Sequence, residues 1–329
     1  MTHTDTPLTA PFPYFGGKSR AASLIWSRFG ASTLKCYAEP FLGSAAVFLQ
    51  APAEFRGQVT LNDKDGLLVN FWRAVVRHPD EVAEAATQPV FEADLHARHA
   101  TLVNARERLT ARLMGDPDYC EPKLAGWWAW GACVWIGGKW CSGNGPWNIG
   151  PDEEGFPVLQ RFDGDVGVCR QLPHLGGAGK GVCRKLQSPD GDRLEWVTSW
   201  LRRLQCAFRD ARVACGSWER ICTPSTLTYF GTCAVLLDPP YSQTDAVYAV
   251  DDNSIAHEVR KWCIENGGNP LLRIALCGHA GEHEELERLG WAVATWKKLA
   301  GYSAKIRGGD DRERIWFSPH CIPSAEDLL

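Results

Sequence analysis

The apolar run Ala234-Val235-Leu236-Leu237 leads straight into Asp238-Pro239-Pro240-Tyr241. The run reads as a buried strand, and the two prolines end it in a rigid turn. The turn carries a carboxylate, a backbone carbonyl and an aromatic ring to the carboxyl end of a strand. Open α/β sheets bind their ligands there. A chain built around this segment is therefore expected to be an α/β protein with a site at that edge.

The remaining segments supply such a sheet. Residues 36–38 read as a short strand, 44–50 as a helical stretch, and 59–61 as a second strand ending at Asn62-Asp63. A helix follows over 65–77. This is the βαβ rhythm of a parallel sheet. Residues 80–111 read as helical. Over 116–192 the rhythm breaks, and Gly, Pro and Trp dominate. A helix over 192–209 follows. Strands are then expected at 212–215, 234–238, 273–277, 291–296 and 314–317, with helices near 253–265 and 282–289. The simplest organisation is one α/β domain with an insert of roughly 130 residues, far beyond ordinary loop length.

Composition bounds the rest. The 329 residues are 45% hydrophobic, enough for a real core. No apolar run approaches the roughly eighteen residues of a membrane span, so none is expected. The 13 cysteines are odd in number and form no CxxC pair. They read as small buried hydrophobes in a reducing compartment. The net charge of −4 does not advertise nucleic-acid binding, although a local basic face suffices for it.

Asp238 can accept a hydrogen bond from an exocyclic amine, and the Pro239 carbonyl can accept the other amine proton. Tyr241 can stack on the base. Together they would aim the amine lone pair at an electrophile, a gain of positioning. No covalent intermediate is needed, so no cysteine need be a nucleophile. The plainer account is a strand-ending turn with an incidental aspartate. Upstream, Glu39-Pro40-Phe41-Leu42-Gly43-Ser44-Ala45 lies between a strand and a helix. Gly43 would let backbone approach a ligand closely. Asp63 ends the next strand at the spacing where an acidic residue meets ribose hydroxyls. Both G-x-G-x-x-G and G-x-x-x-x-G-K-[ST] are absent, and the glycine-rich loop 176–181 lacks the phosphate-loop spacing. The expected ligand is a nucleoside without a polyphosphate. Near the N-terminus, Tyr14 and Lys18 could pack against and pair with a ligand carboxylate, or simply cap a turn.

In order, these blocks resemble the Dam-like N6-adenine DNA methyltransferases of the D12 class. That family shows an aromatic-Gly-Gly-Lys block, a Glu-Pro-Phe-x-Gly block, Asn-Asp, an inserted target-recognition domain and Asp-Pro-Pro-Tyr. Here they are Tyr14-Phe15-Gly16-Gly17-Lys18, Glu39-Pro40-Phe41-Leu42-Gly43, Asn62-Asp63 and Asp238-Pro239-Pro240-Tyr241. The stretch 312–319 looks like the final strand of phage-borne members. The resemblance implies a class I methyltransferase Rossmann-like sheet, mostly parallel with an antiparallel C-terminal strand. It would be formed by 11–85 and 212–320, with 86–211 as an inserted target-recognition region. It implies S-adenosylmethionine as methyl donor and double-stranded DNA as partner, in a monomer acting in the cytoplasm, the host's if phage-encoded, with or without a restriction-modification role. Tyr14 and Lys18 would contact the donor's methionine end. Phe41 and Gly43, with Glu39 and Ser44 of the same block, would line its pocket, and Asp63 would bind the ribose. Asp238, Pro239, Pro240 and Tyr241 would hold an adenine flipped out of the duplex. The family usually has a second glycine where Ala45 stands. To read the donor's adenine it often has an aspartate where Ser217 stands, and the Ser217 hydroxyl would substitute for it.

In the insert, Arg193, Arg202, Arg203, Arg209 and Arg212 read either as a phosphate-facing surface or as a solvated helix face. The segment 176–184, with Lys180, reads as an arm that orders on DNA. Lys297, Lys298, Lys305 and Arg307 form a second basic cluster. Trp127, Trp128, Trp130, Trp135, Trp140 and Trp147 are too many for a readout surface, and core is expected for most. His279 and His283 lack a third ligand and are expected at the surface rather than on a metal. Two rival readings stay open. One moves the same chemistry to cytosine N4 or to RNA. The other is a non-catalytic DNA-binding protein with a degenerate donor site.

Overall fold

The structure, a computed structural model, describes residues 8–14, 17–135, 140–141, 147–152, 154–155, 157–161, 193–240, 255–295 and 313–324. The strands in chain order are β1 (Cys36–Glu39), β2 (Gln58–Asp63), β3 (Trp147–Pro151), β4 (Pro157–Arg161), β5 (Ala211–Cys215), β6 (Cys233–Leu237), β7 (Leu272–His279), β8 (Ala292–Thr295) and β9 (Glu313–Phe317). Strands β3 and β4 form a separate antiparallel pair. The other seven make one sheet in the order β5-β2-β1-β6-β7-β9-β8. Pairings among β5, β2, β1, β6 and β7 are parallel, and β9 runs antiparallel to both β7 and β8. This is the mostly parallel α/β sheet with a reversed C-terminal strand that a class I methyltransferase fold has. The strand order reverses between β1 and β6, which leaves a crevice at their carboxyl ends.

Strands β1 and β6 are buried along their whole length. Side chains alternate across the sheet with a period of two. Tyr37, Ala234 and Leu236 join a core on one face, and Cys36, Ala38, Val235 and Leu237 join a core on the other. Helix α1 (Ala22–Phe29) sends Ile25, Trp26 and Phe29 into the first core. Helix α2 (Gly66–Arg77) starts at Asp65, whose side chain accepts from the Leu67 N–H at 3.0 Å and caps it. Its residues from Leu67 to Trp72 are all buried, because it has neighbours on both sides. Beyond it pack α3 (Pro79–Ala86), α4 (Glu92–Gly115), α5 (Pro122–Val134) and α6 (Arg193–Phe208). Asn70 of α2 exchanges hydrogen bonds with the backbone of Glu121 at 3.0 and 2.8 Å. Trp72 stacks on Phe208 of α6, 4.4 Å apart at 15°, and its Nε1 donates to the Gly43 carbonyl at 3.2 Å. The described helices of the insert therefore share one core with the sheet. The last helix, α7 (Ile255–Asn266), buries Val259 and Cys263 in the second core.

Four details differ from expectation. Residues 44–50 form no α-helix; only Phe48–Gln50 makes a 3-10 turn. Gly43 and Ala45 both have positive φ, 47° and 54°, which a right-handed helix does not admit. Helix α5 was hidden by its glycines and tryptophans. The segment expected as a helix over 282–289 is a 3-10 helix, Glu284–Leu289. His279 and His283 are buried, not at the surface, and the His283 ring meets Trp316 edge-on. Burial lowers the His283 pKa to about 4, so the ring is neutral. Among the described residues no three His, Cys, Asp or Glu side chains gather as a metal site.

The tryptophans follow expectation. Trp128 and Trp130 are buried, and Trp127, Trp135 and Trp140 are partly so. The described cysteines are free thiols, mostly buried. Arg202 is tied to Asp80 of α3 by two hydrogen bonds, at 3.0 and 2.8 Å. Among the described residues no helix is long and apolar enough to cross a membrane. Phe15, Gly16, Tyr241, the segment 176–184 with Lys180, the basic residues Lys297, Lys298, Lys305 and Arg307, and the side chain of Trp147 lie outside the described residues.

Candidate active site

The crevice between β1 and β6 opens into a cavity. Tyr14, Lys18, Glu39, Phe41, Gly43, Ser44, Asp63 and Ser217 all line it, together with Asp238 and Pro240. Pro239 does not line it. The residues come from loops far apart in sequence, and two adjacent side chains at the end of β2 tie these loops together. The Asn62 amide donates to the Pro40 and Gly216 carbonyls, both at 3.0 Å. Asp63 takes the Gly43 N–H on Oδ2 and the Asp65 N–H on Oδ1, each at 2.9 Å. The aspartate expected at a ribose thus also fixes two loops. Gly43 has a second constraint. A Cβ there would sit 2.6 Å from the Tyr14 ring, so only glycine lets Tyr14 close over the loop.

The cavity is acidic and its charges are strongly perturbed. Burial pushes the Glu39 pKa up to about 8, and the nearby Asp238 carboxylate adds to this. The Tyr37 hydroxyl donates to Glu39 at 2.9 Å and opposes the shift without cancelling it. Glu39 is therefore largely protonated at neutral pH. Burial likewise raises Asp63 to about 6. Lys18 is 2% exposed, and its Nζ lies 2.8 and 3.0 Å from the two Asp238 oxygens. Burial, the largest single influence, lowers its pKa, but the Asp238 and Glu313 carboxylates and the hydrogen bond to Asp238 together raise it. Lys18 and Asp238 are 220 residues apart in sequence, and each was placed on a different side of the reaction by resemblance.

Residues 14–116 match the family model of the D12 class N6 adenine-specific DNA methyltransferases. Over that stretch the chain is similar to the D12 class. No curated protein matches the chain. The D12 match takes in the donor-side blocks, β1, β2 and α2; the Asp238 turn lies beyond it and joins it in space. A D12 methyltransferase is an S-adenosylmethionine-dependent enzyme that modifies adenine in DNA.

Sequence reasoning missed part of the wall. Trp218 lines the cavity and faces Phe41 at 6.3 Å and 26°, nearly parallel. It directly follows Gly216-Ser217 at the end of β5, and an aromatic there was a readable signal. The Ser217 hydroxyl bonds to Glu219 at 3.2 Å, so a carboxylate stands two residues from where family members often have one. Ala45 adopts the left-handed conformation that the family's usual glycine at this position would hold without strain.

Proposed function

We propose that this chain transfers a methyl group from S-adenosylmethionine to N6 of an adenine extruded from duplex DNA. One observation carries the reading: the eight donor-side residues named by resemblance and the Asp238 turn line a single cavity. The donor is a cationic nucleoside. A wall with the Asp63 and Asp238 carboxylates suits its charge and hydroxyls, and the faces of Phe41 and Trp218 suit its base. When bound, S-adenosylmethionine supplies an electrophilic sulfonium methyl group.

The chain's own residues do the rest. Phe41 and Trp218 flank the donor base. Asp63 binds the ribose while holding Gly43 and Asp65. Tyr14 closes over the Gly43 loop. The Asp238 carboxylate and the Pro239 carbonyl accept the two N6 protons and aim the lone pair, with Tyr241 stacking on the base. Lys18 holds both Asp238 oxygens beside the donor. The base must leave the stack to reach this cavity. Residues 86–211 form the region that reads DNA. Its arginines, Arg193, Arg202, Arg203 and Arg209, face the phosphates, with Arg202 held in place by Asp80.

The test is Asp238→Ala. Methyl transfer should vanish while calorimetric titration still detects donor binding. Transfer equal to wild type defeats the assignment. Mass spectrometry of nucleosides from treated DNA and RNA identifies the product. N4-methylcytosine or methylated RNA replaces the substrate, and wild type that binds DNA but no donor replaces the enzyme.

A further inference from the structure

Strand β9 is antiparallel to β7, so its first residue lies at the carboxyl ends of the parallel strands, level with the site. That residue is Glu313, opposite His279. Two and four residues on, Ile315 and Phe317 face the first core alongside Ala275 and Cys277. By the period of two, Glu313 is the next inward position on the same face. It is 1% exposed. A carboxylate at a core-facing position is unfavourable unless it is paired. Departures of this kind from local pattern are expected at functional sites.

Its partner is Lys18, whose Nζ is 3.7 Å from Glu313 Oε2. The same nitrogen holds both oxygens of Asp238. One buried ammonium therefore spans carboxylates from β6 and β9, strands separated by β7. Asp238 lines the cavity and Glu313 does not. Lys18 links Glu313 to the Asp238 side of the cavity.

We propose that Glu313 is a positioning residue for methyl transfer, holding Lys18 from behind so that Asp238 keeps its orientation and acceptor strength. This rests on the methyltransferase reading above. A lysine side chain is long and freely rotating, and one carboxylate leaves its direction loosely defined. A second carboxylate fixes the ammonium and takes up part of its charge. Without it, the full charge falls on Asp238 and competes with the target amine for the same oxygens.

The test is single-turnover methyl transfer by Glu313→Gln, which keeps shape and removes charge. The rate should fall on the order of 10- to 100-fold. Donor affinity by calorimetry should not change. In a Lys18→Met background, Glu313→Gln should have no further effect, since the route to Asp238 is gone. Glu313→Asp, which keeps the charge, should retain more rate than Glu313→Gln and guards against a folding artefact. A rate within about twofold of wild type overturns the inference. So does an equal loss of donor affinity, or a Glu313→Gln defect that persists without Lys18. A wild-type chain that transfers no methyl group refutes the function itself. An active wild type with an unaffected Glu313→Gln refutes only the role of Glu313.

Discussion

Asn62→Asp should be far more damaging than its size suggests. Asn62 is 1% exposed and donates to two carbonyls, Pro40 and Gly216, each at 3.0 Å. Both contacts are acceptors, which fixes the amide orientation. Aspartate keeps the shape but removes both N–H groups and sets an oxygen against two oxygens. Two lost hydrogen bonds remove about 1 kcal/mol each, and the buried Pro40 carbonyl, left without a donor, adds about 1–2 kcal/mol. The expected loss is about 3–4 kcal/mol. It should depend on pH. The new carboxyl is buried against carbonyls, which raises its pKa above the unfolded value. The folded state then binds the proton more tightly, so stability is greatest in acid and is lost as pH rises through the folded pKa. Protonation also restores one donor. Urea titrations of variant and wild type, at about pH 5 and about pH 8, measure the difference as a midpoint shift at unchanged slope. Pro40 and Gly216 both line the cavity, so donor affinity should fall too. A loss under about 0.5 kcal/mol at the higher pH, or one independent of pH, refutes the reasoning.

Other expectations follow from single residues. Ala45→Gly relieves a left-handed alanine, worth about 1–2 kcal/mol, against about 0.4–1 kcal/mol of added chain entropy. A net gain of about 0.5–1 kcal/mol in urea is expected, and a clear loss contradicts it. Glu39 has a folded pKa of about 8 against an ordinary 4.5, so wild-type stability falls as pH rises across that window. Glu39→Gln removes this slope; its stability relative to wild type, followed by thermal melts, should climb with pH up to about 8, by an amount bounded at about 4–5 kcal/mol. Phe41→Ala should weaken donor binding roughly tenfold or more by calorimetry, on the scale of one base stacked on an aromatic ring. DNA affinity should be unchanged.

The sheet was legible where the chain commits whole segments to burial. The run 234–237 falls where pattern put it, because a strand buried on both faces must be apolar throughout, and the strands around Tyr37 and Leu61 also fall as expected. Where the pattern failed, a local cause is visible. The helix expected from Ser44 was cancelled by two positive φ values, and nothing in an alanine announces that it will take one. Helix α5 carries glycines and tryptophans of ordinary or poor helix propensity, and tertiary packing overrode them. The site was legible as types of residue and not as contacts. Spacing offered Lys18 and Asp238 as separate candidates; only the folded chain brings them together. Glu313 was invisible as a partner, because its significance depends on which way β9 runs.

Trp72 gives the molecule a mechanical property. Its indole touches the donor-side loop at one end, through the Gly43 carbonyl, and lies flat on Phe208 of α6 at the other. A rigid ring with both ends engaged works as a strut. On the proposed function, a duplex pressing on α6 would bear on the loop under the donor, and a donor seated there would stiffen α6 in return. Such a coupling free energy would be the same in either direction. Whichever ligand arrived first would then set the terms on which the second one binds.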